Sequence, residues 1–355
     1  MTLATQRDAE AVLAGFSKWL RVQDGPGTAE VVGHERPTVG FSSETFLVDV
    51  VRVGADGSSN ERLVLKLPPP GPGCFPSYDF ALQARTQATV AEGGVPAPVP
   101  VEVEQDTRWV GAPFLVMPAI TGHIVPELPV RDHWLTKSAP ELATQAHGRY
   151  IDVIADINGV DWRAGGLADV LPVRDNSAEI AAWRGYLKWY ADGEMIVPTL
   201  VEALDWCEAH RPVSEPEPSL RWGDVRLGNV IFDEERIPVA VLDWEMAAIG
   251  AAEHDLAWDL TLQATQDELF GRTVPGFLAR EAVVARYEGR LGRPVRDLEW
   301  YEILAMVRST AIMTRIAHLH GLAGQPGPFP IADNPILGIL RRRIAIATSD
   351  GGHAG

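Results

Sequence analysis

The chain has 355 residues, with 31 Lys and Arg against 48 Asp and Glu, a formal net charge of −17. That balance excludes general nucleic-acid binding, which needs cations to displace phosphate counterions, and no apolar run reaches the roughly 18 residues of a membrane span. Two cysteines, Cys74 and Cys207, exclude a disulfide framework or a Cys-rich metal site, and Arg7, Asp8, Glu10 and Lys18 interrupt any signal-peptide apolar region, so the expectation is a cytoplasmic protein with no membrane or nucleic-acid partner.

In chain order, Gln6 to Val22 places Ala9, Val12, Leu13, Phe16 and Leu20 on one face of an amphipathic helix. The period then changes. Thr45 to Val53 and Arg62 to Leu67 are apolar, β-branched runs, and the GADGSSN between them predicts a hairpin. The five prolines of LPPPGPGCFPS forbid a helix or a central strand. Tyr78 to Glu92 is helical in pattern, and Val99 to Glu104 and Pro113 to Met117 read as further strands. Residues 1–117 are therefore a small β-rich lobe. From residue 118 the spacing is helical: Ala139–Ile157, Ala178–Ala191, Val197–His210, Glu253–Thr265, Gly276–Leu291, Asp297–Leu322 and Pro335–Thr348, with Ser177 and Asp297 as N-caps. Arg341, Arg342 and Arg343 fall in the last of these and read as a solvated face. Residues 118–348 form a helical lobe, 349–355 a disordered tail, and no internal repeat occurs.

One β interruption breaks the helical lobe. Asn229 to Asp233 and Val239 to Asp243 flank the turn EERIP. A tight hairpin brings its open ends side by side, so Asn229 and Asp243 are expected to be neighbours, with Asp224 just before them on a glycine-punctuated loop. An oxygen pair at a hairpin mouth suits a hard divalent cation such as Mg²⁺, which keeps waters and bridges phosphates. A nearby carboxylate left free of metal suits a base that orients a hydroxyl.

Gly223, Asp224 and Asn229, then Leu242, Asp243, Trp244 and Glu245, then Asp255, Leu256 and Ala257, resemble in order and spacing the aminoglycoside phosphotransferase family. The resemblance implies an α+β, bilobal, protein-kinase-like fold with a small β-rich N-terminal lobe and a larger helical C-terminal lobe. It implies Asp224 as catalytic base, Asn229 and Asp243 as Mg²⁺ ligands, Asp255 as a structural anchor and Arg226 as a contact to the transferring phosphate. Lys66, one of four lysines and flanked by Leu and Val in a strand, is the candidate ATP-binding lysine, a compact point charge for phosphate. Ser42 and Ser43, in VGFSSET, are candidates for a phosphate loop. Pro113 to Ala119 is similar to the family's hinge, where backbone groups near Met117 and Ala119 would bind the adenine edge. Departures are Trp222 where the family carries His, Gln83 near the position of the lysine's usual Glu partner (Asp79 and Glu92 being the nearest acids), and no full G-x-G-x-x-G.

Competing motifs are missing: no G-x-x-x-x-G-K-[ST], no H-E-x-x-H and no G-x-S-x-G occurs. His254 beside Asp255 reads as packing, and most of the eleven tryptophans as core. The short tract after Asp243 leaves no room for a protein kinase's activation segment. The expected function is therefore an ATP- or GTP-dependent, Mg²⁺-requiring transfer to a hydroxyl of a small molecule: an antibiotic such as an aminoglycoside, or a hydroxylated metabolite. The wording of the motifs is also similar to phosphotransferase domains attached to some acyl-CoA dehydrogenases. The alternatives are a nucleotide-binding pseudokinase acting as a regulatory module, and an acidic-cluster metal hydrolase, which the Lys66 lobe opposes. Oligomeric state leaves no trace in the sequence.

Overall fold

The computed structural model describes residues 6–25, 29–37, 42–54, 57–191, 197–321 and 334–351. It divides into two compact units, Met1–Ala91 with Ala97–Ile120, and Glu92–Pro96 with Thr121–Gly355.

In the first unit the Asp8 carboxylate accepts the Glu10 N–H (3.1 Å) and starts α1 (Ala9–Asp24), which buries Val12, Phe16, Trp19 and Leu20. The strands β1 (Ala29–Glu35), β2 (Glu44–Gly54), β3 (Gly57–Leu67), β4 (Glu102–Glu104) and β5 (Phe114–Pro118) form one sheet in the order β1-β2-β3-β5-β4, with α2 (Phe80–Glu92) between β3 and β4 in the chain. Neither the strand β1 nor the length of β3 is foreshadowed by apolar runs. The β2–β3 ladder continues through Ser58, Ser59 and Asn60, opposite Val53, Arg52 and Val51, because backbone pairing does not require apolar side chains.

Strand alternation sorts the residues between two faces. Leu63, Leu65, Leu67, Phe114 and Val116 join Phe46, Val48 and Val50 against α1, where the Trp19 ring meets Phe114 edge-on at 5.2 Å. Leu115, Met117 and Val64 pack with Phe80 of α2 on the other face. Lys66, two residues beyond Val64 and opposite Leu115, belongs to this α2 face and is buried.

The second unit opens with β6 (His123–Ile124) and α3 (His133–Thr136), followed by α4 (Pro140–Asn158), α5 (Asn176–Ala191) and α6 (Pro198–Ala209). Then come β7 (Ser219–Arg221), β8 (Val230–Phe232), β9 (Pro238–Val241) and β10 (Ala248–Gly250), and four helices, α7 (Glu253–Phe270), α8 (Arg280–Leu291), α9 (Leu298–Leu319) and α10 (Pro335–Gly351). The β-strands form a three-stranded sheet, β6-β8-β9, and a two-stranded one, β10-β7. Helix α9 buries residues on nearly every side, apolar ones such as Trp300, Leu304 and Ala311 together with the charged Glu302 and Arg308.

Several element ends differ from the sequence reading. Asp175, not Ser177, starts α5, accepting the Ala178 N–H at 2.7 Å. Gly276 lies outside α8 in a left-handed turn (φ 91°), where a Cβ would approach the Pro140 carbonyl oxygen to 2.1 Å. Asp297 precedes α9 with φ 52° and no capping bond. The last helix runs through Gly351, into the segment read as tail, and residues 352–355 lie outside the described ones.

Gly15 offers a test of the α1 packing. Alanine normally stabilises a helix interior by about 1 kcal/mol over glycine, but here its Cβ would fall 1.9 Å from the Trp109 carbonyl oxygen. Gly15→Ala is therefore expected to destabilise the fold by ~1–3 kcal/mol, the cost of overpacking, as a lowered urea midpoint. A raised midpoint would contradict the packing described.

Candidate active site

The loop that follows β7 is held from below by one carboxylate. Asp255, fully buried in the first turn of α7, accepts the Trp222 N–H on Oδ2 (2.7 Å) and the Gly223 N–H on Oδ1 (3.0 Å). Its Oδ2 also takes Asn158 Nδ2 (2.8 Å), and Asn158 Oδ1 in turn accepts the Tyr287 hydroxyl (2.6 Å). Burial raises the Asp255 pKa, and these donors work against that rise. Gly223 has φ 92°, and a Cβ there would lie 2.2 Å from the Met246 carbonyl oxygen, so this position needs glycine on both counts.

The next residue, Asp224, points a partly exposed carboxylate out of the loop. Its Oδ2 accepts Arg226 Nε (3.0 Å) and Asn229 Nδ2 (2.9 Å), and Asn229 Nδ2 also reaches the Asp224 carbonyl (3.0 Å). Both donors therefore load one oxygen, Oδ2. Arg226 continues to Glu127, whose Oε2 accepts its Nη1. Burial disfavours the Arg226 charge, but Asp224, Glu127 and Asp243 outweigh it and raise its pKa above the ordinary value.

The hairpin brings the other two acceptors together. Val230 pairs with Val241, and the Leu242 N–H donates to the Asn229 carbonyl at 2.9 Å, so Asp243 follows directly beside Asn229. Asp243 has a left-handed backbone (φ 59°). The Trp222 indole N–H secures this bend, donating to the carbonyls of Leu242 (2.9 Å) and Asp243 (3.2 Å). The residue standing where the family carries His thus fastens the loop of Asp224 to the bend of Asp243.

A second buried layer supports the loop. Glu179 of α5 binds Arg221 Nη2 at 2.7 Å and lies 3.7 Å from Arg308 Nε, while Arg308 Nη2 donates to the Gly223 carbonyl at 3.4 Å. Burial pushes Glu179 up, but Arg221 and Arg308 prevail and hold it well below the usual carboxylate range. Burial lowers Arg308 to about 10, against the pull of Glu179. The arginine also lies over Trp258 (4.8 Å) and Trp183 (5.5 Å). His254 is wholly buried and faces Asn176 Oδ1 at 3.2 Å, a packing position. Sequence reasoning missed Glu127, Asn158, Glu179 and Arg308, which lie far from the motifs along the chain and carry no local pattern.

The nucleotide candidates belong to the first unit. Ser42 and the buried Ser43 lead into β2, while Val39–Phe41 lie outside the described residues. Met117 is buried on β5, its Sδ 3.3 Å from Gln87 Nε2. The β4 pairing ends at Val116, one residue before Met117. The Ala119 N–H is spent on the Arg62 carbonyl (2.9 Å), which leaves its carbonyl as the group able to meet a ligand. Gln83 is buried in α2, Asp79 caps that helix through the Leu82 N–H (2.9 Å), and Glu92 is exposed at its end.

The model of the phosphotransferase enzyme family, APH, matches residues 35–297. The chain belongs to this family. Among curated relatives it is 27% identical over 265 residues to the mouse acyl-CoA dehydrogenase family member 10, covering 72% of this chain and 22% of the relative. It is 26% identical over 199 residues to the human acyl-CoA dehydrogenase family member 11, covering 56% and 25%. The chain thus spans about a quarter or less of these relatives' length. Among solved structures, a candidate aminoglycoside phosphotransferase from Ralstonia eutropha superposes with a TM-score of 0.71 at 22% identity, over 96% of this chain and 99% of that one. The aminoglycoside phosphotransferase APH(4)-Ia, in a ternary complex with AMP-PNP and hygromycin B, gives 0.59 at 14% identity over 96% and 99%. These likenesses establish the kinase-like α+β fold.

Two measurements check the geometry. Trp222→Phe keeps the ring and removes the indole N–H, so it is expected to cost about 1–2 kcal/mol of stability; an unchanged denaturation midpoint would show that the bond carries nothing. Asp259 of α7 is buried, accepts Tyr150 (2.9 Å) and Gln263 (2.8 Å), and burial raises its pKa to about 6 despite those bonds. Its folded-state pKa exceeds the unfolded one, so its stabilising contribution is complete below pH ~4 and lost as pH rises through about 6. Between pH ~4 and ~7, Asp259→Asn is expected to gain on the order of 3 kcal/mol relative to wild type. A difference that does not change with pH would refute this account.

Proposed function

We propose that the chain transfers the γ-phosphoryl group of ATP or GTP to a hydroxyl of a small molecule, with Asp224 as the base and Mg²⁺ held by Asn229 and Asp243. The observation that carries this is the loading of Asp224: two donors occupy Oδ2 and leave Oδ1 for the acceptor hydroxyl. Arg226 and Asn229 fix the plane of the carboxylate, so that Oδ1 orients the hydroxyl and takes its proton as the oxygen attacks.

The donor set fits Mg²⁺. Asn229 donates through Nδ2 and so keeps its amide oxygen as a hard ligand, and Asp243 adds a carboxylate beside it. When bound, the ion supplies charge neutralisation on the phosphates. Lys66, Ser42, Ser43 and the backbone at Met117 and Ala119 are the residues assigned to the nucleotide, and Arg226 can turn from Asp224 toward the transferring phosphate.

A small acceptor is favoured over a protein. After Asp243 the chain reaches β10 at Ala248 and α7 at Glu253, so no activation segment intervenes. The acidic balance suits a cytoplasmic protein, and an aminoglycoside, another antibiotic or a hydroxylated metabolite are the acceptors to screen. A nucleotide-binding pseudokinase is the second reading, favoured by Gln83 where a Glu partner of Lys66 is usual.

Thermal-shift titration with ATP and GTP, with and without Mg²⁺, tests the site. Wild type is expected to show a Mg²⁺-dependent stabilisation that Asp243→Ala abolishes. Asp224→Asn is expected to keep that stabilisation while its turnover, followed as ADP or GDP release in an acceptor screen, falls by about 10²–10⁴-fold. Loss of nucleotide binding in Asp224→Asn would remove the base from its role. A shift with no turnover on any acceptor would turn the assignment to the pseudokinase.

A further inference from the structure

A cavity of about 370 Å³ lies within the second unit, lined by the turn at Pro129 and Val130, by α7, α8 and the segment between them, and by Glu302 of α9 and Arg343 of α10. It contains none of Asp224, Asn229 and Asp243, and its volume falls in the range of small-molecule sites. From α7, Leu260, Gln263, Ala264 and Asp267 line it at helical spacing, and Phe277 and Val283 extend the apolar wall. The charged part comprises Arg280, Glu302, Arg343 and Asp267.

The two arginines face one buried carboxylate. Glu302 Oε1 accepts Arg280 Nη2, and its Oε2 lies 3.5 Å from Arg343 Nη1, so two guanidiniums share one carboxylate. Each arginine spends a single nitrogen on that pair, although a guanidinium carries five N–H donors. Asp267 is the remaining acid of the lining, and both arginines are paired with Glu302 and not with it. A cationic ligand would meet two guanidiniums. A wholly apolar one would desolvate their remaining donors without replacement.

We propose that this cavity is a second small-molecule site and takes an amphipathic monocarboxylate, its apolar body against Leu260, Ala264, Phe277 and Val283 and its carboxylate on the guanidinium nitrogens of Arg280 and Arg343. The site adjoins the catalytic loop. Gln263 and Gln266 line both this cavity and a small one that contains Arg226 and Glu127. Gln266 Nε2 donates to the Glu127 carbonyl at 3.1 Å, and Glu127 binds Arg226. An occupant therefore presses on residues that hold the partner of Asp224.

The test is a fluorescence titration of the full chain with dansyl-labelled undecanoate, with no dependence on any assigned activity. Saturable binding is expected, displaced by decanoate but not by ATP, with decanol at least about tenfold weaker than decanoate. Arg343→Gln is expected to weaken the probe by about tenfold or more, and Ala264→Phe, which fills the cavity, to abolish binding. Should circular dichroism show Ala264→Phe unfolded, Val130→Trp at the turn lining the same cavity gives the equivalent reading. The proposal fails if binding is not saturable, if ATP displaces the probe, if decanol matches decanoate, or if Arg343→Gln and a folded cavity-filling variant bind as wild type does.

Discussion

The active-site loop depends on the carboxylate of Asp255. A buried charge is costly unless its oxygens are satisfied, and here the satisfying groups are the backbone N–H of Trp222, the backbone N–H of Gly223 and the amide of Asn158. Since backbone donors cannot move without the chain, satisfying Asp255 fixes the path of residues 222 and 223. Gly223 then turns with a positive φ against Met246, and Asp224 emerges at a defined place. The α7 helix, the β7 strand and Asp224 are thereby a single mechanical unit.

Trp222 and Arg308 extend that constraint in two directions. The indole N–H reaches the carbonyls at 242 and 243, tying the proposed metal ligand Asp243 to the same loop. Arg308 reaches the Gly223 carbonyl from α9 while paired with Glu179 of α5. Buried ion pairs of this kind add little net stability against apolar replacements, because desolvation offsets attraction. Their value here is positional: an arginine with a carboxylate, a carbonyl and two tryptophan faces around it has few alternative places to go. Preorganisation of this kind is what phosphoryl transfer needs from a protein, since the covalent chemistry resides in the substrates.

The family and fold class were legible through the motifs, and the two hairpins and the longer helices through short-range patterns, whereas β1, β6, β7 and β10 were not, and the helical lobe carries more than the one β interruption expected of it. Leu63, Leu65 and Leu67 alternate with Val64 and Lys66, a period of two that marks a strand. The turn between Asn229 and Asp243 forces those two together whatever surrounds them. Less regular pieces resisted the same treatment. Ser58 to Asn60 are strand only because β2 offers them partners, and Gly276 leaves the helix because the Pro140 carbonyl crowds it. Asp175 displaces Ser177 as a cap because its carboxylate reaches the Ala178 amide.

By itself the sequence determined the class of the protein, the hairpin that juxtaposes Asn229 with Asp243, the glycine before Asp224 and the alternation that marks the strand of Lys66. The class rests on the resemblance of the motifs to a known family, and the others on backbone geometry over a few residues. Tertiary structure alone decided that Arg226 runs from Asp224 to Glu127, that Trp222 holds the carbonyl of Asp243, and that Glu179, Arg308 and Asn158 carry the loop. Those partners come from α4, α5, α9 and the segment after β6, tens of residues away. Their meeting is fixed by how the helices pack, and hydrogen bonds between distant side chains leave no periodic mark along the chain.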